Sequence, residues 1–150
     1  MKKFIILLEF SILLFTSCLG QNGMHNSVSC NKKIIIQYDK RSFRGKLSKN
    51  NRTSLTIIFM NFFNGKIKGY INGKLMFDDS VITNENTGKT NKGFVYNYGK
   101  ERISPVLKIQ KDDGNCFEIK MKKKYKFTYI FYDLDKGWIV RFSNKYYVDN

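Results

Sequence analysis

Residues 117–134 constrain this chain more than any other stretch: Phe-Glu-Ile-Lys-Met-Lys-Lys-Lys-Tyr-Lys-Phe-Thr-Tyr-Ile-Phe-Tyr-Asp-Leu. Read with a period of two, one face carries Phe117, Ile119, Met121, Lys123, Tyr125, Phe127, Tyr129 and Phe131. The other carries Lys120, Lys122, Lys124 and Lys126. Successive strand residues point to opposite sides of a sheet, so this pattern excludes an amphipathic helix. It predicts one long strand with an apolar underside and a row of ammonium groups, about 20 Å long at 3.3 Å per residue. Lys123, the one cation on the apolar side, marks a bulge or the strand's exit from the core.

The rest of the chain repeats the strand signature. There is no Ala and a single Pro (Pro105), while Ile, Phe and Tyr dominate the apolar set, a palette that favours strands over helices. Residues 34–38 read as a first strand. Residues 54–63 are apolar on both faces and read as a central one. Asn64-Gly65 and Asn72-Gly73 are hairpin signals, because a type I′ turn needs positive φ at both central positions. They predict three consecutive antiparallel strands, over 54–63, 66–71 and 74–77, the last extended or restarted at 80–83. Residues 84–93 read as a long polar loop. Further strands are expected over 94–98, 106–110, 116–132 and 138–142, with 146–148 closing the sheet. Turns are expected at 111–115 and 133–137. The fold class is therefore all-β: an antiparallel meander of eight to ten short strands, forming a small up-and-down barrel or a twisted sandwich.

The N-terminus has a different character. Met1-Lys2-Lys3 precedes an apolar run over 4–15, which is shorter than a membrane span and ends at Thr16-Ser17-Cys18. Leu14-Phe15-Thr16-Ser17-Cys18 resembles the lipobox of bacterial lipoproteins, including the looser spirochaete type. Phe15 stands where that family usually has Leu, and Glu9 interrupts the apolar run. The resemblance covers only the signal region. It implies cleavage after residue 17, a lipid on Cys18, and anchorage in the bacterial envelope, at the outer membrane or cell surface. The alternative is an ordinary signal cleaved near Gly20, with the protein released. Residues 18–31 have the polar, Asn-, Gly- and Ser-rich composition of a tether, leaving 32–150 as one basic domain.

Cys18 aside, Cys30 and Cys116 form an even pair in an exported chain. Two arrangements follow: a disulfide or two unpaired thiols. A disulfide would clip the tether to the start of the basic strand, bringing the basic face toward the membrane.

Net charge is +15, from 27 Lys and Arg against 12 Asp and Glu. Removing residues 1–17 takes away two lysines and one glutamate, so +15 becomes +14. Such an excess points to anionic partners. Two cationic clusters stand out: Lys120, Lys122, Lys124 and Lys126, and a second with Lys40, Arg41, Arg44, Lys46, Lys49 and Arg52. Lys outnumbers Arg about fourfold. Hydrated point charges suit diffuse polyanion attraction better than base-specific reading.

No catalytic constellation is present, and the chain does not read as an enzyme. His25, the only histidine, lies in the tether, so Ser-His and Cys-His nucleophiles are excluded. Two distant cysteines and one tether histidine do not make a metal site, and no cofactor motif occurs. The acid pairs Asp78-Asp79, Asp112-Asp113 and Asp133/Asp135 fall in turns, where Asp ordinarily bonds its own backbone. The leading function is a lipid-anchored binding module for a polyanion such as a sulfated glycan. The alternative is a β-domain that binds an acidic protein, with tyrosines and Trp138 as anchors unless Trp138 is core. Nucleic-acid binding is disfavoured, because the lysines and aromatics of 117–134 fall on opposite faces and export removes the ligand.

Overall fold

The computed structural model describes residues 30, 33–39 and 53–147. Among them run nine strands and no helix: β1 (Ile34–Tyr38), β2 (Ser54–Phe59), β3 (Asn64–Ile71), β4 (Lys74–Ile82), β5 (Gly93–Asn97), β6 (Val106–Lys111), β7 (Cys116–Lys120), β8 (Phe127–Asp133) and β9 (Gly137–Ser143). They form two sheets, ordered β1-β9-β8-β2-β5 and β4-β3-β6-β7. The sheets pack face to face as a sandwich and do not close into a barrel.

Alternation decides which side chains meet. Leu55, Ile57 and Phe59 of β2, Ile130 and Tyr132 of β8, and Trp138, Val140 and Phe142 of β9 form one inner face. Ile67 and Ile71 of β3, Val81 of β4, Leu107 and Ile109 of β6, and Phe117 and Ile119 of β7 form the other. Trp138 is fully buried, its ring 5.0 Å from Phe117 and 4.9 Å from Tyr132. It is core and cannot anchor a partner. Its indole N–H and the Thr128 hydroxyl are buried without a hydrogen-bond partner.

The two lateral edges are held differently. On one, Cys30, just before β1, is disulfide-bonded to Cys116 at the start of β7, with Cα atoms 5.0 Å apart. On the other, Phe77 of β4 stacks on Phe94 of β5 at 5.5 Å, and the Lys92 ammonium pairs with Asp79.

The wiring is consecutive only in part. The hairpins β3–β4, β6–β7 and β8–β9 join neighbours in the chain, whereas β1 lies parallel to β9 and β2 parallel to β8. Asn72-Gly73 forms its turn, with φ of 50° and 78°. Asn64-Gly65 does not: both residues already belong to β3 and pair with Ile82 and Val81. The chain has by then left the sheet of β2, turning at Met60–Phe63 with Phe62 at φ 65°. Gly65 serves a close approach instead, since an added Cβ would lie 2.7 Å from an Asp112 carboxylate oxygen. That carboxylate accepts the Lys66 N–H at 3.0 Å.

The single long strand over 116–132 is also corrected. It is two strands in different sheets, β7 and β8, joined by a crossover over 121–126. Crossing changes which parity faces the core. Phe117 and Ile119 point inward, as expected. In β8 it is Thr128, Ile130 and Tyr132 that face the other sheet, and Phe127, Tyr129 and Phe131 lie on the outer surface. Tyr146 and Tyr147 form no closing strand. They fold against that outer surface, with ring centroids 5.5 Å from Phe127 and 4.7 Å from Tyr129 respectively.

Candidate functional site

Strand direction gives the sandwich two poles. β7 starts at the disulfide and ends at Lys120, so the crossover and its lysines lie at the pole opposite Cys30. The 111–115 and 133–137 turns lie at the Cys30 pole, where Asn115 donates to the Tyr132 hydroxyl at 3.2 Å. The basic stretch thus projects away from the point where residues 18–29 join the domain, contrary to the membrane-facing placement expected from the disulfide alone.

The crossover is a turn held at a few points. Met121 N–H donates to Pro105 C=O at 2.8 Å, Tyr125 N–H to Lys122 C=O at 3.0 Å, and Lys126 N–H to the Asn144 side chain at 2.9 Å. Met121 and Tyr125 are buried, the latter in a three-ring cluster with Tyr38 and Phe142, whose centroids lie 5.9 and 5.7 Å from its own. Two buried anchors at this spacing force the residues between and beside them outward. Lys120, Lys122, Lys124 and Lys126 are accordingly all exposed. They do not share one flat face: Lys120 sits on the outer side of the four-stranded sheet and Lys126 at the start of β8 in the other. The row wraps over the end of the sandwich. Lys124 and Lys126 lie 5.3 Å from the Tyr125 and Phe127 rings. Lys123 is turned elsewhere, donating to Glu101 C=O and lying 4.7 Å over Tyr98. Its place on the apolar parity therefore marks the chain's exit from the core. Among the described residues, Lys120, Lys122 and Lys126 have no ion pair.

The second cluster, with Lys40, Arg41, Arg44 and Lys46, lies outside the described residues, as do Cys18 and His25. Its flanks are described. Asp39 N–H donates to Phe142 C=O at 3.0 Å, and Thr53 C=O accepts from Tyr98 N–H at 2.7 Å. Both flanks are at the lysine pole, where Thr56 N–H also bonds Lys126 C=O at 3.0 Å.

The pair Asp78-Asp79 does not lie in a turn: both belong to β4, which runs unbroken from Lys74 to Ile82 against β3, and they pair with Lys66 and Lys92. The aspartates of the 111–115 and 133–137 turns do bond neighbouring backbone, as expected. Asp133 accepts the N–H groups of Asp135 and Lys136, both at 2.9 Å. The Lys136 N–H holds its carboxyl below the ordinary value, against a smaller opposing effect of burial, with the Asp135 N–H helping. At Asp113 burial pushes upward, but hydrogen bonds from the Asn115 backbone, Lys111 and the Asn115 side chain outweigh it. Among the described residues no three His, Cys, Asp or Glu side chains converge as a metal centre would need.

A second feature was missed by the sequence reading. On the outer side of the five-stranded sheet lies an open groove of about 580 Å³, bounded by Thr56, Ile58, Val95, Tyr146, Lys89 and residues 91–93. Gly93 lets β5 approach β2, because a Cβ there would be 2.3 Å from Ile57 C=O. Tyr129 lies beneath; burial pushes its phenol pKa up, partly offset by the hydrogen bond from Tyr147 N–H, so it is neutral at physiological pH. The available clue was the doubly apolar pattern of residues 54–63 and 127–132, which implies a cover or a ligand on both sides of those strands. Comparison with protein-family models, with curated proteins and with solved structures finds no match.

Proposed function

We propose that this chain is an exported, lipid-anchored binding protein that presents a cationic pole to a polyanion such as a sulfated glycan, most simply as a surface adhesin-like module. One observation carries the reading: Lys120, Lys122, Lys124 and Lys126 are all exposed around one end of the sandwich. Positive charge concentrated at one end orients an approaching polyanion before contact. If Cys18 bears lipid, the anchored end is the one that holds Cys30, which favours an outward-directed cationic pole.

Heparin resin tests this. Retention should persist beyond physiological salt and weaken steeply toward 1 M, where screening shortens to about 3 Å. Replacing Lys120, Lys122, Lys124 and Lys126 together by Gln should bring elution down sharply. Elution of the native protein near physiological salt, or retention indifferent to the fourfold change, would sink the idea.

A second reading is an acidic protein partner. Ile103, 78% exposed in the segment that holds Lys123, supports it, since an apolar side chain beside cations suits a protein interface better than a glycan. A stoichiometric, salt-insensitive complex recovered through the lysine pole would favour this reading over the first.

A further inference from the structure

A sheet face in water ordinarily alternates to polar residues. The outer side of the five-stranded sheet instead presents Ile58, Val95, Phe127, Tyr129 and Phe131. Tyr146 and Tyr147 cover the β8 part of this surface, leaving the β2–β5 part as the groove. Val95 remains 53% exposed and Tyr146 62% exposed at its two sides. The volume of about 580 Å³ falls within the range of small-ligand sites, about 300–1,000 Å³.

Charge narrows the occupant. The groove lining contains Lys89 and Lys92 and no carboxylate. Lys92 is oriented by Asp79, which pairs with its ammonium. Past Lys89 and Tyr147 a smaller hollow of about 210 Å³ continues to Arg141. The Arg141 guanidinium lies 5.1 Å from the Phe131 ring, and its Nε donates to Gln37 at 2.8 Å. An anionic group complements these cations better than a wholly apolar guest does. A bare inorganic anion would leave the aromatic and aliphatic walls unused.

We propose that this groove binds a short segment of an acidic oligosaccharide. The apolar C–H faces of the rings lie against Tyr146 and Val95, and a sulfate or carboxylate points to Lys89 and Lys92. The inference rests on the polyanion reading and deepens it: the lysine pole attracts the chain, and the groove seats part of it.

Calorimetric titration of the full chain with a heparin-derived tetrasaccharide tests the groove apart from the pole. The tetrasaccharide should bind, and its desulfated, carboxyl-reduced counterpart should bind at least about tenfold more weakly, a difference of about 1.4 kcal/mol. Val95→Glu sets a carboxylate on the groove wall at an exposed position and should weaken the charged ligand by about the same factor. Tyr146→Ala should weaken both ligands. Val95→Lys should keep or raise affinity, which mere perturbation of β5 would not do. Equal affinity for the charged and neutral ligands, or affinity indifferent to Val95→Glu and Tyr146→Ala, overturns the proposal. If long heparin is still retained in that case, the pole reading stands and only the groove falls. If the groove variants abolish binding while the fourfold lysine variant leaves long-heparin retention unchanged, the groove stands and the pole reading falls. If the native protein binds neither the tetrasaccharide nor long heparin, both fall.

Discussion

The lysine crossover and the tyrosine groove are both cationic, but they are built on opposite principles. The crossover is a loop over the end of the sandwich, pinned by buried Met121 and Tyr125, with lysines that can change without touching the core. The groove stands on paired strands: β2 bonded on both sides, to β8 and β5. Its shape depends on a backbone approach that admits only glycine at position 93. The contrast teaches that charge placed on a crossover is separable from folding, whereas a concave apolar face is a product of it.

Substitution can break the comparison. The largest expected effect is on binding alone: the fourfold Lys→Gln change at the crossover should abolish most heparin retention while shifting stability by no more than about 0.5 kcal/mol per surface position. A comparable loss of melting temperature would mean the crossover is part of the folding unit. Next comes the disulfide. Serine at both Cys30 and Cys116 should cost about 2–4 kcal/mol in denaturant midpoints, since the loop they close is long, with the lysine pole still competent in the folded fraction. Gly93→Ala should follow, at about 1–3 kcal/mol from forcing a side chain into Ile57 C=O. It should distort the groove and spare the pole, so tetrasaccharide binding should fall more than retention on long heparin.

Smaller effects sharpen the contrast. Thr128→Val replaces a buried, unpaired hydroxyl with a methyl of similar shape, and should be neutral or stabilising by up to about 1 kcal/mol. A clear loss of stability in urea titration would mean the hydroxyl has a partner in solution. The smallest effect concerns pH. Asp113 and Asp133 have depressed pKa values in the folded protein, so the unfolded chain binds protons more readily and folding is favoured once they ionise. That contribution should be fully present above the ordinary value of 3.8 and lost as the pH falls below it. Asn at both positions should flatten the acid limb of a melting-temperature profile slightly, without altering heparin retention at neutral pH.

Much of the strand content was legible because it depends on neighbours two residues apart. β1, β5, β6 and β9 lie where alternation places them, and the Cys30–Cys116 pair forms as cysteine parity suggested. Asn72-Gly73 turned as its dihedral chemistry requires. Asn64-Gly65, with the same letters, did not, because Phe63 is buried and the following strand pairs in the other sheet. Local turn preference is weaker than the burial of the flanking apolar residues. Lys120, Lys122, Lys124 and Lys126 kept their alternating exposure even though the strand carrying them does not exist as one piece.

The sequence by itself determined the all-β class, the position of most strands and the outward-facing lysines, and it narrowed the cysteines of the domain to one possible pair. Each follows from period, parity or charge, which are properties of short stretches. Only tertiary structure decided that residues 117–134 switch sheets, that Phe127, Tyr129 and Phe131 face away from the core, and that the lysines stand at the pole opposite Cys30. Those outcomes depend on which strands pair. Pairing is settled by burying two apolar faces against each other across the whole chain, and a period of two reads the same on either sheet.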